Sequence, residues 1–205
     1  MFIFAANTKT ASTSVESALE KHSEFRLDGA PRLKHLPLVE AKDVAPNAFH
    51  DYELDDFFIF GIMRDPIDWI QSWYRYRLGN NVRNRLPSGM TFKEFWEKKD
   101  WNILRKDGKK YLQKDIFLRP NGDVLADVIV PYETLDDHLG PIMSLLQIEQ
   151  PLPKSNTSRV KKITEPLAQG LLDELKLFYA EDFALYENLE EINKVGMEKL
   201  RRLVA

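Results

Sequence analysis

Two short stretches of this 205-residue chain hold the residue types that chemistry on an anion needs. The first is Asn7-Thr8-Lys9-Thr10-Ala11-Ser12-Thr13-Ser14, between the apolar run Phe2 to Ala6 and a segment with helical spacing. A loop that leaves a strand and enters a helix aims backbone N–H groups and the positive helix end at one point. A phosphate or sulfate ester is the natural guest. Lys9 adds a full charge, and Thr10, Ser12, Thr13 and Ser14 add hydroxyl donors. The plainer reading is a turn whose hydroxyls cap the helix. The Walker pattern Gly-x-x-x-x-Gly-Lys-Ser/Thr is absent, with Ala6 and Ala11 where glycines would stand, which disfavours an ordinary ATP or GTP hydrolase.

The second stretch runs from Phe60 to Arg77. Phe57 to Met63 is a continuous β-type apolar run, the mark of a strand buried on both faces. Asp65-Pro66 then reads as a helix N-cap and first helical residue, with the helix running to about Leu78. Arg64 therefore sits at a strand's carboxyl end, where open α/β sheets bind ligands. Asp68, Ser72 and Arg75 share one helix stripe pointing back toward Arg64, while Ile67, Ile70, Tyr74 and Leu78 form the core-facing stripe. A guanidinium and a hydroxyl converging here suit a second phosphate. An Arg64–Asp68 surface ion pair is the plainer alternative.

Any proton transfer beside such an anion site would need a base. His35, in Arg32-Leu33-Lys34-His35-Leu36-Pro37, is the candidate, since a neutral imidazole is available near pH 7. The alternative is a loop histidine with a structural hydrogen bond. His22, His50 and His138 are weaker candidates, and Glu40, Asp43 and Glu133 are carboxylate alternatives, Glu133 reading as a structural group bonded to loop backbone. Trp69, Trp73, Tyr74 and Tyr76, with Arg75, Arg77, Arg83 and Arg85, form an aromatic–basic cluster. Such a mix suits stacked, acidic sugars, or simply core aromatics beside solvated arginines.

The elements that must position these groups follow from periodicity. A helix after Ser14 puts Val15, Ala18, Leu19 and His22 on one face. Leu27 to Pro46, broken by three prolines, predicts loops with one short helix. Gly79 to Gly89 reads as a loop, and Thr91 to Glu94 as a capping box opening a helix to about Lys99. Ile116 to Leu118 and Val124 to Val130 predict strands around an Asn121-Gly122 hairpin turn. Thr134 to Leu146, Pro166 to Tyr179 and Leu189 to Leu203 read as helices, with Leu152 to Lys162 extended and basic. Strands interleaved with helices predict one α/β domain over 1–205 with a central, mainly parallel sheet.

Composition bounds the rest. Lys and Arg number 29 against 32 Asp and Glu, a net charge of −3, which excludes a globally basic nucleic-acid binder. A 43% apolar share is enough for a real core. The absence of cysteine excludes disulfides, thiolate metal sites and a cysteine nucleophile. The longest apolar run, Phe57 to Met63, is far short of the about 20 residues a spanning helix needs. The expectation is a soluble, cytoplasmic protein without a nucleic-acid or membrane partner.

These motifs resemble a known family. Lys9 to Ser14 after a first strand resembles the 5′-phosphosulfate loop of sulfotransferases that use 3′-phosphoadenosine 5′-phosphosulfate (PAPS). Arg64-Asp65-Pro66, with Ser72 eight residues after the arginine, is similar to their 3′-phosphate motif. Val130-Pro131-Tyr132-Glu133-Thr134-Leu135 resembles their strand-to-helix Tyr-Glu-x-Leu element, Ser155 to Arg159 their late Asn-Ser segment, and Tyr179 to Tyr186 their terminal helix. The likeness covers almost the whole chain and is to bacterial members of the carbohydrate-type enzymes.

The resemblance implies a P-loop-like three-layer fold and a set of roles. Lys9 would grip the 5′-phosphosulfate, with Thr10, Ala11, Ser12, Thr13 and Ser14 completing the cradle. Arg64 and Ser72 would hold the 3′-phosphate, with Arg159, and Lys161 or Lys162, adding a late contact. PAPS would be the donor and adenosine 3′,5′-bisphosphate the product, with no metal, and a carbohydrate or small glycoconjugate hydroxyl the acceptor. Some carbohydrate-type members use a histidine base, which favours His35. Ser14 departs from the tryptophan that some cytosolic members place there to stack on adenine. Two other classes compete: a P-loop-like kinase using ATP, which needs a Mg²⁺ carboxylate, and a non-catalytic anion- or glycan-binding relative.

Overall fold

The computed structural model describes residues 1–27, 29–80, 82, 84–98, 112–152 and 166–205. Three strands, β1 (Phe2–Ala5), β2 (Phe58–Met63) and β3 (Val128–Pro131), form a parallel sheet in the order β1-β2-β3. Phe4 sits opposite Phe60, and Phe60 opposite Val128. The helices follow as α1 (Ser12–Leu19), α2 (Pro31–Lys34), α3 (Ala41–Val44), α4 (Pro46–Phe49), α5 (Pro66–Gly79), α6 (Phe92–Lys98), α7 (Lys114–Phe117), α8 (Leu135–Leu145), α9 (Gln169–Phe178), α10 (Ala180–Glu187) and α11 (Leu189–Val204).

Strand alternation explains the layers. Every residue of β2 is buried. Phe58, Phe60 and Ile62 point to one face and meet Val15, Ala18 and Leu19 of α1 and Leu139, Ile142 and Met143 of α8. Ile59 and Met63 point to the other and meet Leu38, Ala41, Phe49, Phe117 and Leu185. The result is helices on both sides of a parallel sheet, the α/β, P-loop-like arrangement the sequence predicts. Gly61 is required where the faces are tightest: a Cβ there would lie 2.5 Å from the Phe117 ring and 2.8 Å from the Ala5 carbonyl oxygen. A third cluster, centred on Trp69, Tyr74, Phe95, Trp96 and Tyr179, packs α5 against α6 and α9.

Helix α11 covers β3. Asn193 accepts from Ile129 N at 2.7 Å and donates to Ile129 O at 2.9 Å, doing for that strand what another strand would. Lys199 reaches both Asp127 carboxylate oxygens at 2.9 Å and the Phe57 carbonyl at 3.0 Å. Asp127 in turn accepts from Ile59 N at 2.8 Å.

Several expectations are corrected. The predicted hairpin strand over Ile116 to Leu118 is instead the helical turn α7 and its exit. Only one antiparallel bridge, Leu118 with Val124, flanks the Asn121-Gly122 turn, and the strand proper begins at Val128, parallel to β2. The reason is that the backbone N–H groups of Gln113 and Lys114, at the start of α7, bond a distant carboxylate, Asp182, which fixes the turn as helical. Leu27 to Pro46 carries more helix than one short piece, because Pro31 and Pro46 start helices rather than break them. His22 falls on the exposed 3₁₀ turn after α1, not on its buried face. The helix expected from Pro166 begins at Gln169. The extended segment expected from Leu152 lies, from 153 onward, outside the described residues. Among the described residues no helix is long and apolar enough to cross a membrane.

Candidate functional site

The loop between β1 and α1 is built from the inside. Asn7, Thr8 and Thr10 are buried polar residues. Asn7 Nδ2 donates to Ile62 O at 3.2 Å and to Gln113 Oε1 at 3.0 Å. The Thr10 hydroxyl closes the loop on Asn7 O at 3.0 Å, and Trp69 Nε1 donates to Thr8 O at 2.8 Å. These bonds hold Lys9 at φ 60° and Ala11 at φ 58°, left-handed conformations that cost a non-glycine residue roughly 1–2 kcal/mol each. Left-handed residues in such a turn direct successive backbone N–H groups to one point, which favours an anion.

Helix α5 positions the second half. Asp65 Oδ1 accepts from Ile67 N and Asp68 N at 2.9 Å each, and Pro66 takes the first helical position. Glu133 Oε1 accepts from Asp65 N at 3.1 Å and its other oxygen from Tyr186 OH at 2.6 Å, so this carboxylate braces the turn. Arg64 is only 8% exposed. Its Nη1 donates to Lys9 O at 3.4 Å, its guanidinium lies 4.3 Å from the Tyr132 ring centroid, and Nη2 is 3.7 Å from Asp68 Oδ2. The ion pair is therefore real, and it belongs to the site. Ser72 and Arg75 are buried on the same stripe of α5.

Charge in the site is mostly positive. The Lys9 ammonium sits 3.8 Å from the Tyr76 ring centroid and 6.0 Å from that of Trp73. Burial, then the Arg64 and Arg75 guanidiniums, pull its pKa from 10.5 down to about 8. Arg75 is also pushed down, by burial and then by Arg64, with Asp68 and Tyr132 opposing. Among the described residues, the buried atoms Thr8 Oγ1, Arg64 Nε, Arg75 Nε and Trp73 Nε1 have no hydrogen-bond partner. Burying unpaired donors and like charges is unfavourable unless a ligand joins them. A dianionic ligand end would offset the like charges of Lys9, Arg64 and Arg75.

His35 packs at the foot of the loop, with Nδ1 2.8 Å from Ala6 O. A carbonyl only accepts, so Nδ1 carries the proton and Nε2 is the basic nitrogen of the neutral ring. Burial pushes its pKa below 6.5, the Ala6 bond opposes, and Lys34 adds to the lowering. Lys34 fastens this segment to α1 by donating to Thr13 Oγ1 at 3.1 Å and pairing with Glu16.

The structure thus brings Lys9, Arg64 and Arg75 together, places Thr10, Ala11, Ser12 and Ser14 in the same loop and helix start, sets His35 against Ala6, buries Ser72 on α5, and turns Thr13 toward Lys34. Arg159, Lys161, Lys162 and Arg83 lie outside the described residues. Arg77 bonds Asn84 O at 2.8 Å with its guanidinium 5.9 Å from the Phe95 ring centroid, and Arg85 is exposed. His22, His50 and His138 are all exposed. Sequence reasoning placed Arg75 on the right stripe without giving it a ligand, and it missed Gln113 entirely, for which no local motif exists. Among the described residues, no group of three or more His, Asp or Glu side chains is arranged to hold a metal ion.

A cation cluster at parallel strand tips, entered by a strand–loop–helix turn, is an arrangement that favours phosphate- or sulfate-like groups. The model of the sulfotransferase family matches residues 3–187, and the chain belongs to that family. It is therefore a transferase of sulfuryl groups. No curated protein and no solved structure gives a match.

Proposed function

We propose that the protein transfers the sulfuryl group of PAPS to a hydroxyl of a carbohydrate or small glycoconjugate. The observation that carries this is the convergence of the half-buried Lys9, just past β1, with the buried guanidiniums of Arg64, just past β2, and Arg75 of α5, with Asp68 paired to Arg64. Lys9 and the backbone from Thr10 to Ser14 hold the 5′-phosphosulfate end. Arg64 and Ser72, with Arg75 beside them and Arg159 as a late contact, hold the 3′-phosphate end.

PAPS, when bound, supplies the activated sulfuryl group. The chain's own residues do the rest. Lys9 stabilises the negative charge that grows on the leaving oxygen, a preorganised donor in a partly dry site. The anion it faces returns its pKa upward, so the ammonium is charged when it is needed. His35 Nε2 takes the proton of the acceptor hydroxyl, with Nδ1–H held by Ala6 O to fix the tautomer. The face of Trp73, 6.0 Å from the Lys9 ammonium, offers a surface on which a sugar ring stacks.

The test is thermal stabilisation by adenosine 3′,5′-bisphosphate, ATP and GTP. Selective stabilisation by the bisphosphate is expected, by about 2.7 kcal/mol at a hundredfold excess over Kd. A preference for ATP with Mg²⁺ contradicts the reading. Transfer from labelled PAPS to a panel of glycan and phenol acceptors then identifies the acceptor class.

A further inference from the structure

We propose that Gln113 is a positioning residue whose side-chain amide sets the distance between the Lys9 loop and Arg64, with Asp182 holding Gln113 in place. The inference rests on the two-ended donor of the preceding reading.

Strands β1 and β2 are paired only as far as Ala5 and Gly61. Asn7 and Arg64 lie beyond that point, where the ladder no longer ties the two tips together. Gln113 takes over there. Its Nε2 donates to Arg64 O at 2.8 Å, and its Oε1 accepts from Arg64 N at 3.1 Å, so one amide satisfies both backbone groups of the arginine. The same Oε1 accepts from Asn7 Nδ2 at 3.0 Å. Both lone pairs of this oxygen are used, and the reverse amide orientation would set a donor against the Arg64 N–H. Gln113 is fully buried, as is Asp182.

Asp182 on α10 locks the backbone that carries the amide. Its Oδ2 accepts from Gln113 N at 3.2 Å and its Oδ1 from Lys114 N at 2.8 Å. Lys114 is held in turn by Glu181 at 2.8 Å and Asp115 at 3.6 Å. None of these groups needs to touch the ligand. Their effect is on spacing, and spacing matters only to a ligand gripped at both ends.

That difference supplies the experiment. Gln113→Met keeps the length and volume and removes all three side-chain bonds. Its affinity for adenosine 3′,5′-bisphosphate should fall by about 10-fold or more, while that for 5′-AMP, which engages one end, stays within about 2-fold. Equal loss for both ligands, or no loss for either, overturns the proposal. Should Gln113→Met not fold, Gln113→Glu decides. Its protonated carboxyl can both accept and donate as the amide does, but its ionised form sets a carboxylate against Arg64 O. The variant-to-wild-type ratio of bisphosphate affinity should therefore recover as pH falls from 8 to 5.5, and a flat ratio contradicts the clasp. Failure of the wild-type protein to bind the bisphosphate would instead remove the sulfotransferase reading, which separates the two claims.

Discussion

Arg64 Nη1 lies 3.4 Å from the carbonyl oxygen of Lys9, a residue 55 positions earlier in the chain. The guanidinium expected to grip one end of the donor thus reaches the backbone of the residue expected to grip the other. Neither is placed by its own neighbours alone. The sheet register brings the strand tips side by side, and the buried amides of Asn7 and Gln113 join them beyond the last ladder pair.

Removing the guanidinium should act on binding. Arg64 is buried and paired with Asp68, so Arg64→Ala leaves that carboxylate without its partner and removes a hold on the 3′-phosphate. The affinity for adenosine 3′,5′-bisphosphate should weaken by about 2–5 kcal/mol, read by calorimetric titration. Binding within twofold of the wild type would place the 3′-phosphate elsewhere.

His35→Ala should separate binding from transfer. Affinity for the bisphosphate is kept and turnover is lost. In the wild type, the neutral ring is the active form and its pKa lies below 6.5, so kcat/KM should fall as pH drops through that lower value. Full transfer by the variant would assign the base role to another group.

The left-handed Ala11 predicts a gain in stability. Ala11→Gly exchanges a penalty of roughly 1–2 kcal/mol for glycine's smaller unfolded-state cost, a net stabilisation of about 1 kcal/mol. Urea unfolding should show a higher midpoint with an unchanged slope. A lower midpoint would mean that the alanine methyl packs usefully in the loop.

Asp182 predicts a pH dependence of folding. Burial lifts its carboxyl from 3.8 to about 7, with Asp115 adding to the rise and the Gln113 and Lys114 N–H groups and the Lys114 ammonium opposing it. The folded chain therefore holds this proton more tightly than the unfolded chain. Its contribution to stability is full below about pH 4 and is lost as pH rises toward 7. Asp182→Asn cannot titrate, so the wild-type-minus-variant difference in unfolding free energy should shrink from pH 5 to 7.5. A difference that is constant or grows over that range contradicts the assignment.

The local signals in the sequence proved the readable ones. The burial of β2 on both faces, the Asp65-Pro66 cap and the Thr91–Glu94 capping box all follow from groups within a few residues of one another. The Asn121-Gly122 turn is also local, and it forms, with Gly122 at φ 92°. What the turn does not decide is whether the residues before it become a strand. Asp182, 69 positions from Gln113, decides that by bonding the first N–H groups of α7. Gln113 was illegible for the same reason: its partners are 49 and 106 positions away, and nothing in Leu112 to Asp115 announces them. Arg75 shows a milder case, since its helix stripe was readable while its burial among Lys9 and Arg64 was not.

The most direct measurement is calorimetric titration of adenosine 3′,5′-bisphosphate at pH 8.5 in buffers of different ionisation heat. Burial and the neighbouring guanidiniums lower the pKa of free Lys9 to about 8, so its neutral form is populated there, and the bound anion draws a proton onto it. The account predicts one-to-one binding with net proton uptake that disappears in Lys9→Met. Absence of binding, or proton uptake unchanged by Lys9→Met, would contradict it.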